Sequence, residues 1–248
     1  MLKILSKIAG GINKLRREKT SAIILCAGAS TRFSDGNGSK QLALVQGKPV
    51  ILRTIQAFEN CDLISEIILV VRKDDVDSIK KLVSENRIQK VSCFVIGGDT
   101  RQSSALRGFK HVSEKSKFVA IHDGARCLVT PEIIESVIKE ADIHRAATAA
   151  SKVTDTIKLA DDDGFINKTV DREYLWSVQT PQVFEKKLYM TSAYYSKDKG
   201  LIATDDCMLA ENAGFKVKLV ETGKENIKIT VQDDINFANQ ILISRGEK

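Results

Sequence analysis

The sequence predicts an α/β fold on a mostly parallel sheet, with helices on both faces. Three observations carry this. Short, bounded apolar runs rich in Ile and Val recur along the chain. Helix-like segments separate them, the signature of βαβ units. Between residues 150 and 180 the alternation breaks into two strand-like runs around an Asp-Gly turn, which reads as a projecting β-hairpin arm. A chain of 248 residues, 43% hydrophobic and 28% charged, is long enough for one large α/β domain with a substantial core.

Residues 1–20 read as a separate extension. Leu5, Ile8, Ile12 and Leu15 share one helical face with lysines opposite, and Gly10-Gly11 weakens the helix. The expectation is an extension outside the fold; the alternative is a helix for a membrane surface or a partner. It lacks the contiguous apolar stretch and cleavage site of a signal peptide. Six of its residues are basic against Glu18, so it holds +5 of the formal +6 and leaves the body near neutral. That distribution argues against a nucleic-acid partner.

From residue 21 the runs SAIILC, SEIILVV, VSCFVI and KFVAIH read as buried strands. Segments 50–59, 74–85, 100–110 and 131–141 read as the helices between them. After the arm, helices are expected at 185–196, 204–213 and 232–243, with strands at 215–220 and 227–230. No composition shift marks a boundary after residue 20, so 21–248 is taken as one domain. The five cysteines lie at least 32 residues apart with no CxxC. They suggest neither a disulfide framework nor a zinc site, and Cys26 and Cys93 are expected to be buried thiols. The cytoplasm is the natural compartment.

Parallel α/β sheets bind ligands beyond the carboxyl ends of their strands. Three stretches follow strands directly and should line one crevice: AGASTR, GGDTRQSS and HDGAR. In the first, Ala27, Gly28 and Ala29 let a phosphate chain approach the backbone N–H groups, while Arg32 and Lys40 supply charge. Without G-x-G-x-x-G or a Walker loop, the same stretch also reads as a turn with two solvated cations. In HDGAR, Asp123 stands where a carboxylate can hold Mg²⁺ with substrate phosphates, although Asp-Gly is also a plain turn. His122 reads as a packed or hydrogen-bonded histidine. GGDTRQSS either reads a base edge or caps its helix. DDDG at 161–164 fails the calcium-loop spacing and reads as turn chemistry.

LCAGASTRF…SKQ, GGDTRQSSALRG, HDGAR, TDTIK, TVDREYLWSVQTPQVF, TDD and ENIKIT occur in that order. The ordered set resembles the 2-C-methyl-D-erythritol 4-phosphate cytidylyltransferases over residues 21 to 243. The resemblance implies a Rossmann-like, GT-A-like nucleotidyltransferase domain with a projecting arm. It implies transfer of CMP from CTP to a polyol phosphate with a divalent cation, Mg²⁺. Arg32 and Lys40 resemble the family's cations on the CTP phosphates. Gly98, Asp99 and Ser104 match its cytosine segment, and Asp123 its ribose and metal aspartate, with Gly124 and Arg126 in the same motif. Thr156 and Arg172 match arm residues that reach the substrate phosphate across a homodimer interface; Thr180 and Lys228 complete that side.

Several positions depart from the family pattern. Ser30 and Gly124 replace a glycine and an alanine, Cys127 and Ser39 replace prolines, and DGNGS precedes Lys40. A looser turn beside Asp123 and a mobile Lys40 loop are therefore expected. Ribitol-5-phosphate cytidylyltransferase shares the nucleotide half and is the near alternative, and a non-catalytic CTP-binding module is the alternative of another class.

Overall fold

The computed structural model describes residues 19–28, 33 and 39–246. The N-terminal extension up to residue 18, Ala29, Ser30, Arg32 and residues 34–38 before Lys40 lie outside the described residues.

Strands β1 (Lys19–Leu25), β4 (Ile64–Val71), β5 (Val91–Ile96), β6 (Ser116–Asp123), β7 (Ala146–Lys152), β10 (Trp176–Glu185) and β11 (Lys218–Glu221) form one seven-stranded sheet. Its order is β11-β7-β10-β6-β1-β4-β5, and β10 alone runs antiparallel to its neighbours. The chain builds outward from β1 to β4 and β5, then crosses back to place β6 on the other side of β1. The reversal leaves a crevice beyond the carboxyl ends of β1 and β6, where Leu25 is in register with Asp123.

The apolar runs alternate sides. Ala22, Ile24, Ile67, Leu69, Phe118 and Ala120 face α1 (Val50–Glu59), α2 (Val76–Glu85) and α4 (Pro131–His144) in one core. Ile23, Leu25, Ile68, Val70, Val119 and Ile121 face α3 (Arg101–Phe109), α5 (Lys186–Asp198) and α6 (Asp206–Asn212) in the other. Helices on both faces follow directly, since each buried Ile or Leu contributes about 1.5–3 kcal/mol. Gly108 lets α3 lie close: a Cβ there would stand 2.7 Å from Ile23 Cγ2 and 2.8 Å from Val70 Cγ2. That approach seats the last turn of α3 directly against β1 and β4.

A third cluster, Val45, Val50, Ala125, Cys127, Ile229, Ile235 and Leu242, seats α7 (Asp233–Ser244) against the Asp123 turn. β2 (Leu44–Val45) and β3 (Lys48–Pro49) form a small ladder beside it. The strand expected at 227–230 is absent. Ile227 and Ile229 do alternate inward, but this stretch is anchored by single bonds such as Ile229 N–H to Ala125 O, 2.8 Å, and joins no sheet.

The arm is rooted in the main sheet. β7 and β10 pair out to Trp176 opposite Lys152, and the chain then continues into a two-stranded hairpin, β8 (Lys158–Ala160) and β9 (Ile166–Thr169). Its tip is a turn: Gly164 has φ +86°, and Asp161 Oδ1 accepts the Phe165 N–H at 2.8 Å. Those bonds account for the DDDG stretch. Cys26, Cys61, Cys127 and Cys207 are buried, whereas Cys93 is only partly covered. No helix among the described residues is long and apolar enough to cross a membrane.

Candidate active site

A cavity of about 520 Å³ fills the crevice, within the usual range for small-molecule sites. Ala27, Gly28, Lys40, Gly98, Asp99, Ser104, Asp123 and Lys228 all line it. Stretches scattered along the chain from Ala27 to Lys228 thus meet at one place.

Asp123 closes β6 and is 8% exposed. Its Oδ1 accepts from Arg101 Nε at 3.2 Å and its Oδ2 from Lys228 Nζ at 2.7 Å; Arg126 Nε stands 4.0 Å away. Burial pushes this carboxyl up, but the Arg101 and Lys228 charges outweigh burial and hold it well below the usual carboxylate range. The site therefore carries a permanent carboxylate surrounded by cations.

Behind it lies a buried hydrogen-bond chain. The Asp123 N–H donates to Thr180 Oγ1 at 3.1 Å, and Thr180 Oγ1 meets His122 Nδ1 at 3.0 Å. His122 Nε2 meets the Arg126 carbonyl at 3.2 Å. A carbonyl only accepts, so Nε2 carries the ring proton and Nδ1 accepts the Thr180 hydroxyl. The ring is wholly buried against Phe58. Burial, against the pull of the Asp123 charge, lowers its pKa to about 3, so His122 is neutral and structural.

The turn beside Asp123 is tight. Gly124 N–H donates to Leu25 O at 2.9 Å, and its carbonyl accepts Thr54 Oγ1 at 2.9 Å. Cys127 is buried in the third cluster.

On the opposite wall Thr100 caps α3, accepting the Ser103 N–H at 3.0 Å in a reciprocal capping box. Ser104 Oγ accepts the Gly98 N–H at 3.0 Å. In GGDTRQSS, Thr100 and Ser103 cap the helix, while Gly98, Asp99 and Ser104 line the cavity. Lys40 opens a 3₁₀ turn (Lys40–Leu42), and the preceding Ser39 donates to Asp75 Oδ2 at 2.8 Å.

The remaining expected residues lie elsewhere. Thr180 is 3% exposed and Gly124 is buried; both stand behind the cavity wall. Arg126 donates from Nη1 to the Asn226 carbonyl at 2.8 Å and does not line the cavity. Thr156 and Arg172 are exposed at the arm, with Arg172 Nη1 bonded to Thr154 O at 2.7 Å. Arg32 and Ala29 lie outside the described residues.

Sequence reasoning missed Arg101, Gln41 and Thr230, which also line the cavity. Arg101 did leave a signal. A cation at the first position of a helix opposes the helix dipole, so its placement asks for a carboxylate partner.

A doubly wound sheet with a phosphate-compatible cavity at its switch point defines a nucleotide-binding enzyme of the α/β class. The family matching residues 20–244 is 2-C-methyl-D-erythritol 4-phosphate cytidylyltransferase. A relative of that name from Caldanaerobacter subterraneus is 44% identical over 223 residues, covering 90% of this chain and 98% of the relative. One from Clostridium acetobutylicum is 40% identical over 89% of this chain and 96% of its own. A crystal structure of 4-diphosphocytidyl-2C-methyl-D-erythritol synthase from Anaerococcus prevotii superposes with a TM-score of 0.80 at 35% identity, covering 92% of this chain and 99% of that one. The chain belongs to the 2-C-methyl-D-erythritol 4-phosphate cytidylyltransferase family. It is a nucleotidyltransferase with that family's activity, in the non-mevalonate isoprenoid pathway.

Proposed function

We propose that this chain carries out cytidylyl transfer in the cavity between Lys40, Gly98, Asp123 and Lys228. The acceptor's phosphate oxygen attacks the α-phosphorus of CTP; one P–O bond forms, the α–β bridging bond breaks, and pyrophosphate leaves. The nucleophile is already an anion, so no general base is needed, and positioning plus charge stabilisation supply the catalysis. Arg32 and Lys40 hold the phosphate chain, and Gly98, Asp99 and Ser104 read the cytosine. Lys228 stands at the junction of the two anions.

The observation that carries this reading is the pairing of Asp123 with Lys228 at 2.7 Å inside the cavity. It holds an ammonium beside the carboxylate in a crevice built from three phosphate-compatible turns. Asp123 is also the residue for a divalent cation. A lone carboxylate suits Mg²⁺, which takes one or two carboxylates and fills its remaining positions with phosphate oxygens and water. When bound, Mg²⁺ would neutralise charge on the phosphate oxygens.

The arm is the proposed dimer contact. Leu159, Phe165, Ile166 and Tyr174 are exposed along it, at 54%, 72%, 65% and 77%. Pairing of two chains would cover them and bring Thr156 and Arg172 to the neighbouring chain's acceptor phosphate. Reduced, mostly buried thiols fit a cytoplasmic setting, and the near-neutral net charge of the body argues against a nucleic-acid partner.

Pyrophosphate release from CTP and Mg²⁺, with methylerythritol phosphate and ribitol 5-phosphate offered separately, tests the reading. Release with the first alone is expected. Release with the second alone would keep the CTP wall and overturn the assignment of the arm.

A further inference from the structure

Arg101 is shared by two carboxylates. While its Nε holds Asp123 Oδ1 at 3.2 Å, its Nη1 meets Asp206 Oδ2 at 2.6 Å. The Asp206 side chain is 0% exposed and does not line the cavity. Its other oxygen accepts the hydroxyl of Tyr189, itself 1% exposed, at 3.0 Å. The Asp206 N–H donates to Gln182 Oε1 at 3.0 Å, and Gln182 Nε2 donates to the neighbouring Asp205 at 2.8 Å. Asp206 is thus pinned by β10, α5 and α6 together, whereas Arg101 is a long side chain reaching from α3.

A buried carboxylate is costly unless paired, and a mechanism that needs only Asp123 and the cations makes no use of this one. We infer that Asp206, held by Tyr189, is a positioning residue that fixes the Arg101 guanidinium and through it the plane of the Asp123 carboxylate. One fork of the guanidinium is tied to a rigid anchor, so the other presents a single donor to Asp123 Oδ1. Oδ2 is left aimed at Lys228 and the cavity. Without the anchor, Arg101 is free to swing onto Asp123 or onto the nucleotide phosphates.

The inference rests on the proposed nucleotide role of Asp123. Its test is a double-mutant cycle read as kcat and KM for each substrate. Asp206→Asn is expected to lower kcat/KM for CTP by about tenfold, with the KM of the acceptor unchanged, and Arg101→Ala by about 100-fold. In the Arg101→Ala background, Asp206→Asn should cost less than about twofold further, because its route is already gone. A full tenfold loss in that background would show a merely structural role and overturn the inference. If Asp206→Asn fails to fold, Tyr189→Phe takes its place in the cycle. A drop of about threefold, absorbed by Arg101→Ala, is then expected, and an additive loss refutes the inference. Asp123→Asn separates the two levels: full turnover would sink the nucleotide role itself, whereas lost turnover with an additive cycle would sink the positioning role alone.

Discussion

Gly124→Ala puts a methyl group into the turn that carries Asp123. The added Cβ would stand 2.5 Å from Cys26 Sγ and 3.2 Å from both Gln41 Oε1 and Ile51 Cδ1. The backbone cannot retreat, because Gly124 is bonded through N–H to Leu25 and through C=O to Thr54. Cys26 is 1% exposed and packed in the core, so its sulfur has little room to move. Overpacking of this kind costs about 1–3 kcal/mol; a value of about 2 corresponds to a melting shift of roughly 4–8 °C for a chain this long. Cys26→Ala removes the obstructing sulfur and by itself should cost about 1 kcal/mol. The double variant should then be no worse than Cys26→Ala alone, a coupling of about 2 kcal/mol. Urea unfolding of the four proteins measures it, and pyrophosphate release should fall and recover in parallel. If Gly124→Ala costs under about 0.5 kcal/mol, or the double variant shows the sum of the single losses, the packing account of this turn is wrong.

Further outcomes follow from the site and the arm. Lys228→Ala and Lys40→Ala should each lower turnover by on the order of 10²–10³, with melting temperatures changed by only a few degrees; near-full turnover would remove that lysine from the reaction. The pH dependence of stability has a definite sign. His122 is held neutral in the fold with a pKa of about 3, below the ordinary value of about 6.5. As pH falls below about 6.5 the unfolded chain takes up a proton that the fold refuses, so stability is lost progressively down to about 3. Unfolding measured from about pH 7 to 5 should therefore lose up to about 1.4 kcal/mol per pH unit more in the wild type than in His122→Asn. Thr100→Ala breaks the capping box at α3 and should cost about 1 kcal/mol in thermal unfolding. Phe165→Glu with Ile166→Glu should convert a dimer to a monomer by light scattering; a dimer that survives both would place its interface elsewhere.

How much of this was legible beforehand varies by element. β1, β4 and β6 announced themselves because they are buried on both faces and read as unbroken Ile and Val runs. β7 was not foreseen. AATAASK is alanine-rich, and alanine carries no strand signal; tight burial between β10 and β11 makes it a strand. β10 was hidden by Pro181, which argues against a central strand. The ladder tolerates it because the register with β7 is irregular between Val178 and Gln182. In the site, Gly28, Gly98 and Asp123, which follow or end strands, do line the cavity. Thr180, Gly124 and Arg126 were harder: type and motif position do not reveal which side of a turn a side chain takes. The Asp206–Arg101 pair spans 105 residues, so no local pattern shows that these two side chains meet.

β10 runs from behind the cavity wall to the root of the arm, and its pairing with β7 is irregular only between Val178 and Gln182. Thr180 bonds the Asp123 turn, and four residues earlier Trp176 pairs with the last residue of β7. At about 3.4 Å per residue, that strand is a ruler of roughly 14 Å between the chemistry and the base of the arm. An insertion of one residue there would lengthen the reach by a fixed step and turn every later side chain to the opposite side. Substitutions in the hairpin beyond it would do neither. The hairpin is therefore the part of the arm whose sequence can vary while the distance set by β10 stays fixed.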